Sequence, residues 1–354
     1  MKRVLCCLLA AVMAVGLCGC GKQEESGTVY AMDTVMEFRV YGKETEAALT
    51  ALERRVQELE NLLSRTKETS EVSALNRAGG QETEVSGETW NLLAAAREAA
   101  QVTGGAFDVT IAPVASAWGF TEESFRVPSQ EELDTLLPLV GAGNISLARN
   151  GDTYLAALQP GQAVDLGGIA KGYASDCMAD VLLECGIESG YAALGGNVLA
   201  WGAKPDGSDW RIGVKDPNDT AALTGVLALQ NAYAVTSGGY ERYFTQSGKT
   251  YHHIIDPATG YPAETRLLSV TVVADANGPA EGSPPAPGNG AKCDAFSTAL
   301  FVMGEDAALD FWRSGAYDFD LVLVTEDGRV LITGGLEGRF EECEESGYAY
   351  EIVH

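Results

Sequence analysis

The sequence predicts an α+β fold with mixed or antiparallel sheets, packed helices and two intimately joined subdomains. Amphipathic segments with apolar residues at helical spacing are interleaved with short, strand-like apolar runs. Many of these runs look antiparallel, which disfavours a regular parallel α/β sheet. No GxGxxG follows a first strand and no Walker sequence is present, so neither standard nucleotide-binding fold is predicted.

The N-terminus reads as a targeting segment. Met1–Arg3 is basic, and Val4–Leu17 is an apolar run too short for an ordinary membrane span. The run ends in Leu-Cys-Gly-Cys, the pattern of a bacterial lipoprotein signal, although a plain cysteine-rich secretory signal is an alternative. Residues 1–19 are therefore predicted to be a signal peptide, and residues 20–27 a lipidated Cys20 with a polar tether. We expect an extracytoplasmic protein anchored by lipid to the bacterial cell membrane.

The first half of the remaining chain predicts a strand pair and then several helices. The longest helix has Ala48, Leu52 and Val56 on one face, and Ser70 is placed to cap the next. The predicted segments are strands within Thr28–Tyr41, helices Glu44–Leu63, Ser70–Asn76, Glu88–Thr103 and Gln130–Leu137, an irregular stretch around Pro113 and Trp118, and alternation from Ile145 to Leu158.

The second half predicts a helix, a series of strands and two shorter helices. The first helix, Ile169–Cys185, stops at Gly186. The predicted strands are Tyr191–Ala193, Val198–Trp201, Trp210–Val214, Thr224–Leu229, Ala232–Thr236, Tyr251–Ile255, Leu268–Ala274, Leu321–Thr325 and Arg329–Ile332, and the helices are Phe296–Val302 and Glu305–Arg313. Residues 277–292 are rich in Gly, Pro and Ala and predict a flexible surface insertion within one domain of residues 28–354.

The amino-acid composition limits the classes of molecule that this protein is expected to bind. The net charge of −26 argues against nucleic acid and against an anionic membrane surface. An acidic protein that binds a polyphosphate needs a local counter-charge, which a divalent metal and Lys171 would supply. Four cysteines follow the signal, with no CxxC and no zinc spacing, and we interpret them as structural, with a disulfide left open: Cys177, Cys185, Cys293 and Cys343.

Two distant segments carry the clearest chemistry. Val164-Asp165-Leu166-Gly167-Gly168-Ile169-Ala170-Lys171 places a carboxylate, two glycines and a lysine in one strand-to-helix turn. Asp294-Ala295-Phe296-Ser297-Thr298 adds an acid followed one helical turn later by a hydroxyl. Carboxylate, hydroxyl and main-chain oxygens suit Mg²⁺ held together with substrate phosphates. The two segments therefore predict a metal-dependent site for a phosphorylated molecule.

Ordered motifs give these segments a family context. They are the two segments above, Gly195-Gly196-Asn197, Thr236-Ser237-Gly238, and His253-Ile254-Ile255-Asp256-Pro257 with Thr259-Gly260. In this order the chain resembles the FAD:protein FMN transferases, the ApbE family, from about Tyr30 to Trp312. The resemblance implies an ApbE-like fold and an enzyme that, with Mg²⁺, transfers the FMN half of FAD to a threonine or serine hydroxyl. The products are a phosphoester and AMP.

The resemblance also assigns site residues. It implies metal ligation by the Gly168 carbonyl, Asp294 and Thr298. It implies flavin-nucleotide contacts from Met32, Thr66, Ala106, Phe107, Asp108, Asp165, Lys171 and Ile255. Many relatives carry a stacking tyrosine where Thr66 stands, so we expect looser FAD binding here. His253 is the acid/base candidate, since an imidazole could accept the proton of the incoming hydroxyl; a role limited to hydrogen bonding a phosphate or the turn stays open.

Three functions remain compatible with the sequence. The first is transfer of FMN to extracytoplasmic threonine- or serine-bearing flavoproteins, such as subunits of membrane redox complexes. The second is metal-dependent FAD hydrolysis to FMN and AMP with water as acceptor. The third is a non-catalytic flavin-binding lipoprotein, against which the Asp294 and Thr298 pair argues because a carrier needs no catalytic metal.

Overall fold

The computed structural model describes residues 23–120, 124–276 and 286–354, and it confirms the α+β prediction. The helices of these residues are α1 (Thr45–Leu63), α2 (Glu71–Arg77), α3 (Gly87–Val102), α4 (Ala112–Trp118), α5 (Gln130–Leu136), α6 (Ala170–Glu184), α7 (Asn289–Met303) and α8 (Glu305–Arg313). The strands are β1 (Gln23–Ala31), β2 (Thr34–Gly42), β3 (Thr83–Val85), β4 (Ser146–Asn150), β5 (Thr153–Ala157), β6 (Ser189–Leu194), β7 (Asn197–Trp201), β8 (Trp210–Lys215), β9 (Leu223–Leu229), β10 (Ala232–Gly238), β11 (Tyr243–Gln246), β12 (Lys249–His252), β13 (Leu267–Asp275), β14 (Asp320–Thr325), β15 (Arg329–Thr333), β16 (Phe340–Glu342) and β17 (Ala349–Val353).

A nine-stranded sheet organises the described part of the chain. Its strand order is β1-β2-β6-β7-β10-β13-β14-β15-β17. Neighbouring strands pair antiparallel except for β15 and β17, which are parallel. Within the described ranges three small sheets accompany it, ordered β3-β5-β4, β16-β9-β8 and β11-β12. Antiparallel neighbours can be joined by short turns, which is why many consecutive strands need no helix between them.

Both faces of the large sheet are buried. Leu321 and Leu323 of β14 join the core that lies under α1, α6 and α7, whereas Val322 and Val324 join a second core. Strands β8 and β9 contribute to that second core, Trp210 among them. Because successive strand residues point to opposite faces, a strand buried on both sides reads as a continuous apolar run. Helices α1, α6 and α7 therefore lie on one side of the large sheet, and the small sheet that contains β8 and β9 lies on the other.

The helix start and stop signals are largely confirmed. The α1 face formed by Ala48, Leu52 and Val56 is fully buried. The Ser70 hydroxyl accepts a hydrogen bond from the Ser73 N–H at 3.0 Å, the predicted cap of α2. Helix α8 has the predicted bounds.

The prediction of an irregular stretch around Pro113 was wrong, because α4 is helical there. Pro113 lies in the first turn, where its missing N–H would have no intrahelical acceptor. The helix then delivers Trp118 into a fully buried position, and its indole N–H donates to the Gly260 carbonyl at 2.8 Å. Tertiary packing therefore favours the helix that the proline seemed to forbid.

Two predicted boundaries are also corrected. Residues 23–27 belong to β1 and pair with β2, starting with Gln23 opposite Gly42. They are therefore not a tether, and the folded domain begins before residue 28. Asn289 begins α7, so residues 289–292 are helical and not part of a loop. The predicted signal peptide, Cys20 and residues 277–285 of the predicted insertion lie outside the described residues.

The four cysteines of the described residues form no disulfide. Cys177, Cys185, Cys293 and Cys343 are free thiols, and burial raises the pKa of Cys177 to about 12. The buried Cys177 thiol is therefore a poor nucleophile at neutral pH. Among the described residues, every helix is too short or too polar to cross a membrane.

Candidate functional site

One cavity of about 490 Å³ collects the predicted site residues, and this volume lies within the usual range for small-molecule sites. It opens between the β1–β2 turn, the N-terminus of α6 and the segment that follows β10. The predicted residues that line it are Met32, Thr66, Ala106, Phe107, Asp108, Asp165, Gly168, Lys171, His253, Ile255, Asp294 and Thr298. A second concavity of about 700 Å³ over α3 shares only Asp108 with this set.

The turn before α6 is held by its own side chains. The Asp165 carboxylate accepts the Gly167 N–H at 2.8 Å, and Lys171 Nζ donates to the Gly167 carbonyl at 3.1 Å. A Cβ at Gly168 would lie 3.1 Å from the Phe107 ring and 3.6 Å from Thr298 Oγ1. Glycine thus lets the main chain at 168 approach the α7 hydroxyl closely, as the predicted carbonyl ligand requires.

The two α7 residues point into the same corner. Asp294 is 4% exposed, and Oδ2 accepts the N–H of Gly172, in the first turn of α6, at 2.8 Å. Thr298 Oγ1 lies 3.2 Å from Ser237 Oγ, which also contacts Ser297 Oγ at 2.8 Å. Helix α6 therefore holds the Asp294 side chain, and strand β10 holds the Thr298 side chain.

These residues fit a hard divalent cation. Burial raises the pKa of the Asp294 carboxyl, whereas Lys171 and the Gly172 N–H act against that rise. A buried carboxylate is costly without a compensating charge, and a divalent ion would supply it. Among the described residues no group of three or more His, Cys, Asp or Glu side chains forms a metal site. The oxygen set of one carboxylate, one hydroxyl and one carbonyl is the kind that Mg²⁺ accepts.

His253 stands on the cavity wall with a defined tautomer. Its Nδ1 lies 3.2 Å from the Arg242 carbonyl, so this nitrogen carries the proton and donates it. Nε2 is left as the acceptor. Burial, with smaller effects of Arg242, His252 and Lys171, lowers the pKa of His253 to about 4 despite its bond to the Arg242 carbonyl. The imidazole is therefore neutral at pH 7 and able to accept a proton.

Asp108 is engaged mainly by the protein itself. Oδ1 accepts the Thr110 N–H at 2.8 Å and the Thr110 hydroxyl at 2.5 Å, and Oδ2 accepts the Ala142 N–H at 2.8 Å. It thus caps the short 3₁₀ turn Val109–Ile111. This is the structural role that an aspartate before a helical turn commonly has.

The β1–β2 turn forms a strained lip of the cavity. Met32 has φ 49° and Asp33 has φ 58°, so both adopt the left-handed region although neither is glycine. Such a two-residue turn matches the twist of a hairpin, but it usually selects Asn or Gly. Arg242 lies 4.0 Å from the Asp33 carboxylate, across the cavity mouth. Strain of this kind is concentrated at functional sites in many proteins.

Among the cavity residues that were not predicted, two cations and one buried amide bear most directly on ligand binding. Arg65 pairs with Asp165 at 3.4 Å and donates to Ser116 Oγ at 3.0 Å, and Arg242 is a second additional cation. Asn197 is 1% exposed beside Asp294, and its Nδ2 meets no acceptor at hydrogen-bonding geometry among the described residues. Asn197 ends the Gly-Gly-Asn motif that the sequence did single out. Nothing in the sequence alone distinguished the two arginines.

The fold and the cavity that collects the predicted residues define a protein with a polar site for a small molecule. The chain belongs to the ApbE family, the family of the FAD:protein FMN transferases: the family model matches residues 32–322. The Haemophilus influenzae FAD:protein FMN transferase is 30% identical, with 98% of this chain and 100% of the relative covered. The Treponema pallidum enzyme of the same name is 31% identical, with 95% and 94% covered.

Solved structures agree with this assignment. The ApbE protein of Thermotoga maritima has a TM-score of 0.79 and 33% identity, covering 91% of this chain and 100% of its own. The apo flavinyl transferase ApbE of Pseudomonas stutzeri has a TM-score of 0.76 and 28% identity, covering 90% and 98%. The chain is therefore similar to these two ApbE proteins over nearly its whole length.

Proposed function

We propose that this chain transfers the FMN half of FAD to a threonine or serine hydroxyl of another protein. In this reaction the hydroxyl oxygen bonds to the FMN phosphorus, the pyrophosphate P–O bond breaks and AMP leaves. The observation that supports the proposal most directly is that one cavity is lined by all eleven residues assigned by resemblance and by His253. They come from distant parts of the chain, so their convergence is a property of the fold.

The charges that line the cavity indicate that a pyrophosphate would need a bound cation. Lys171, Arg65 and Arg242 line the cavity together with six acidic residues, so the lining carries more negative than positive charge: Asp33, Glu60, Asp108, Asp165, Glu241 and Asp294. Gly168, Asp294 and Thr298 would hold Mg²⁺, which when bound supplies charge neutralisation for the pyrophosphate. Phosphoryl transfer depends mainly on positioning and on such neutralisation.

His253 would deprotonate the acceptor hydroxyl, and Asn197 would bind the pyrophosphate. Neutral His253 would take the hydroxyl proton on Nε2, while the Arg242 carbonyl holds the ring through Nδ1. Nδ2 of Asn197, which lies beside Asp294 but makes no well-aligned hydrogen bond among the described residues, would donate to a phosphate oxygen. FAD hydrolysis uses the same residues and differs only in the acceptor.

The test incubates the protein with FAD, Mg²⁺ and a threonine-bearing flavoprotein domain, and follows in-gel flavin fluorescence together with AMP release. A fluorescent acceptor band that disappears with chelator and in Asp294→Asn supports transfer. The matched control is Asp306→Asn, an exposed acid on the neighbouring helix α8. AMP and free FMN without a band would indicate hydrolysis, and neither product would leave a flavin carrier.

We also propose that Cys20 carries a lipid and that the acceptors are extracytoplasmic flavoproteins such as membrane redox-complex subunits. The lipoprotein pattern of the N-terminus supports this proposal. Metabolic labelling with a palmitate analogue should mark the wild-type chain and spare Cys20→Ser. Equal labelling of both would contradict it.

A further inference from the structure

We propose that Asp176 is a positioning residue that sets the N-terminus of α7, and through it Asp294 and Thr298, for metal binding. The inference rests on the proposed function, in which these two α7 side chains hold Mg²⁺. Asp176 itself lies on α6, away from the cavity lining. It would act only through the helix that it holds.

Asp176 binds the first turn of α7 with both carboxylate oxygens. Oδ1 accepts the Gly290 N–H at 2.7 Å, and Oδ2 accepts the N–H groups of Gly288 and Ala291 at 2.8 and 3.0 Å. The first N–H groups of any helix lack intrahelical partners and carry partial positive charge. One carboxylate from another helix thus satisfies three of them.

Helix α7 has no such cap of its own. Its N-cap residue, Gly288, has no side chain, and the Asn289 side chain donates instead to the Asp275 carbonyl at 3.0 Å. The first turn is also packed, since Gly290 and Ala291 are buried. Without Asp176 these donors would be buried and unsatisfied, so the start of α7 depends on a residue 112 to 115 positions earlier in the chain.

The dependence is reciprocal. Asp294 of α7 accepts the N–H of Gly172 in the first turn of α6, while Asp176 of α6 accepts three N–H groups from the first turn of α7. The two helices cross where neither has a side chain: a Cβ at Gly172 would lie 2.2 Å from the Gly290 carbonyl oxygen. The metal-side carboxylate and the capping carboxylate therefore fix one shared helix crossing.

A third element joins the same point. Tyr233 of β10 is 2% exposed, and its hydroxyl lies close enough to Asp176 to lower the pKa of that carboxyl. Four residues further along β10, Ser237 contacts Thr298 Oγ1. Asp176 consequently links α6, α7 and the strand that orients the predicted hydroxyl ligand. Groups that orient metal ligands from behind commonly change metal affinity by about 10- to 100-fold when they are removed.

The test compares Asp176→Asn with Asp180→Asn in the whole chain. Asp180 lies one turn further along α6 and is half-buried, whereas Asp176 is buried, and among the described residues Asp180 makes no hydrogen bond to α7. Asparagine keeps the shape of Asp176 but faces backbone donors with an NH₂ group. Mg²⁺ affinity is measured by calorimetry without FAD, FAD affinity with chelator present, and amide exchange over residues 288–291 by mass spectrometry.

The expected result for Asp176→Asn is Mg²⁺ binding weakened about tenfold or more, faster exchange at the start of α7, and FAD affinity in chelator within about twofold of wild type. Asp180→Asn should match the wild type. Faster exchange with unchanged Mg²⁺ affinity would overturn the proposal, because the cap would then be only structural. Should Asp176→Asn not fold, Tyr233→Phe removes the hydroxyl that lies beside the same carboxylate, and unchanged Mg²⁺ affinity in that variant would overturn it.

These measurements separate the proposal from the proposed function. Mg²⁺ affinity and exchange need neither an acceptor protein nor turnover. If the wild type binds Mg²⁺ but transfers no FMN, the function fails while the role of Asp176 is still tested. If Asp176→Asn binds Mg²⁺ like the wild type and the transferase assay succeeds, the role of Asp176 alone fails.

Discussion

Gly172→Ala should disturb the crossing of α6 and α7 more than its single added methyl suggests. The new Cβ would lie 2.2 Å from the Gly290 carbonyl oxygen and 2.6 Å from the Asp294 Cβ. Carbon atoms normally approach one another to about 3.5–4.0 Å, so the helices must separate by about 1 Å. The obstructing atoms are fixed to a helix backbone, and no side-chain rotation relieves the overlap. Overpacking costs about 1–3 kcal/mol, and we expect the upper end, about 3 kcal/mol.

The assay is thermal unfolding, with chelator and then with Mg²⁺. In chelator the melting temperature of Gly172→Ala should fall by about 4 °C for a chain of this length. The wild type should gain about 2.7 kcal/mol when Mg²⁺ is present at about 100 times its dissociation constant, and the variant should gain much less because Asp294 is displaced. Gly143→Ala is the control, since a Cβ there meets no atom within 4 Å. Two variants that melt alike and respond alike to Mg²⁺ would refute the reasoning.

Three further predictions concern His253, Thr66 and Asp176. Because the pKa of His253 is lowered to about 4, kcat/KM should decline only below about pH 4, and His253→Gln should abolish that limb and lower kcat by about 10²- to 10⁴-fold; a limb near pH 6.5 would contradict the assignment. Thr66→Tyr should tighten FAD binding by adding a stacking ring, as titration of flavin fluorescence can measure, and an unchanged dissociation constant would reject the idea. Burial raises the pKa of Asp176 from 3.8 to about 6, so ionising this carboxyl is harder in the folded chain than in the unfolded chain. This group's contribution to the free energy of unfolding is therefore fully present below about pH 4 and falls by about 3 kcal/mol as the pH rises through 6. Urea unfolding of Asp176→Asn should lack this pH-dependent loss, and parallel curves for the two proteins would count against it.

The pattern of the sequence predicts elements that carry their own signals. Helix α1 has its buried face at regular spacing, and α2 has its cap, Ser70, next to it in the chain. Helix α7 began earlier than predicted because Asn289-Gly290-Ala291-Lys292 reads as a loop, and its cap comes from Asp176. A signal carried by a distant residue is invisible to any local window.

The candidate site shows the same division. Asp165, Asp294 and His253 stand in motifs whose residue types indicate their chemistry. Arg65 follows α1 in an ordinary polar segment, and only the fold brings it to 3.4 Å from Asp165, a hundred residues on. Strand β1 was also underestimated, because Gln-Glu-Glu-Ser-Gly has little preference for strands and is extended by pairing with β2.

Because β1 begins at Gln23, its length limits the distance between Cys20 and the cavity. Its nine residues span about 30 Å, from Gln23 to the Met32–Asp33 lip of the cavity. Three residue steps from Cys20 to Gln23 add at most about 10 Å. With the proposed lipid on Cys20, the cavity mouth could then rise no more than about 40 Å above the membrane surface. Acceptor hydroxyls would have to lie within that height, so the distance from the bilayer would limit which hydroxyls can react.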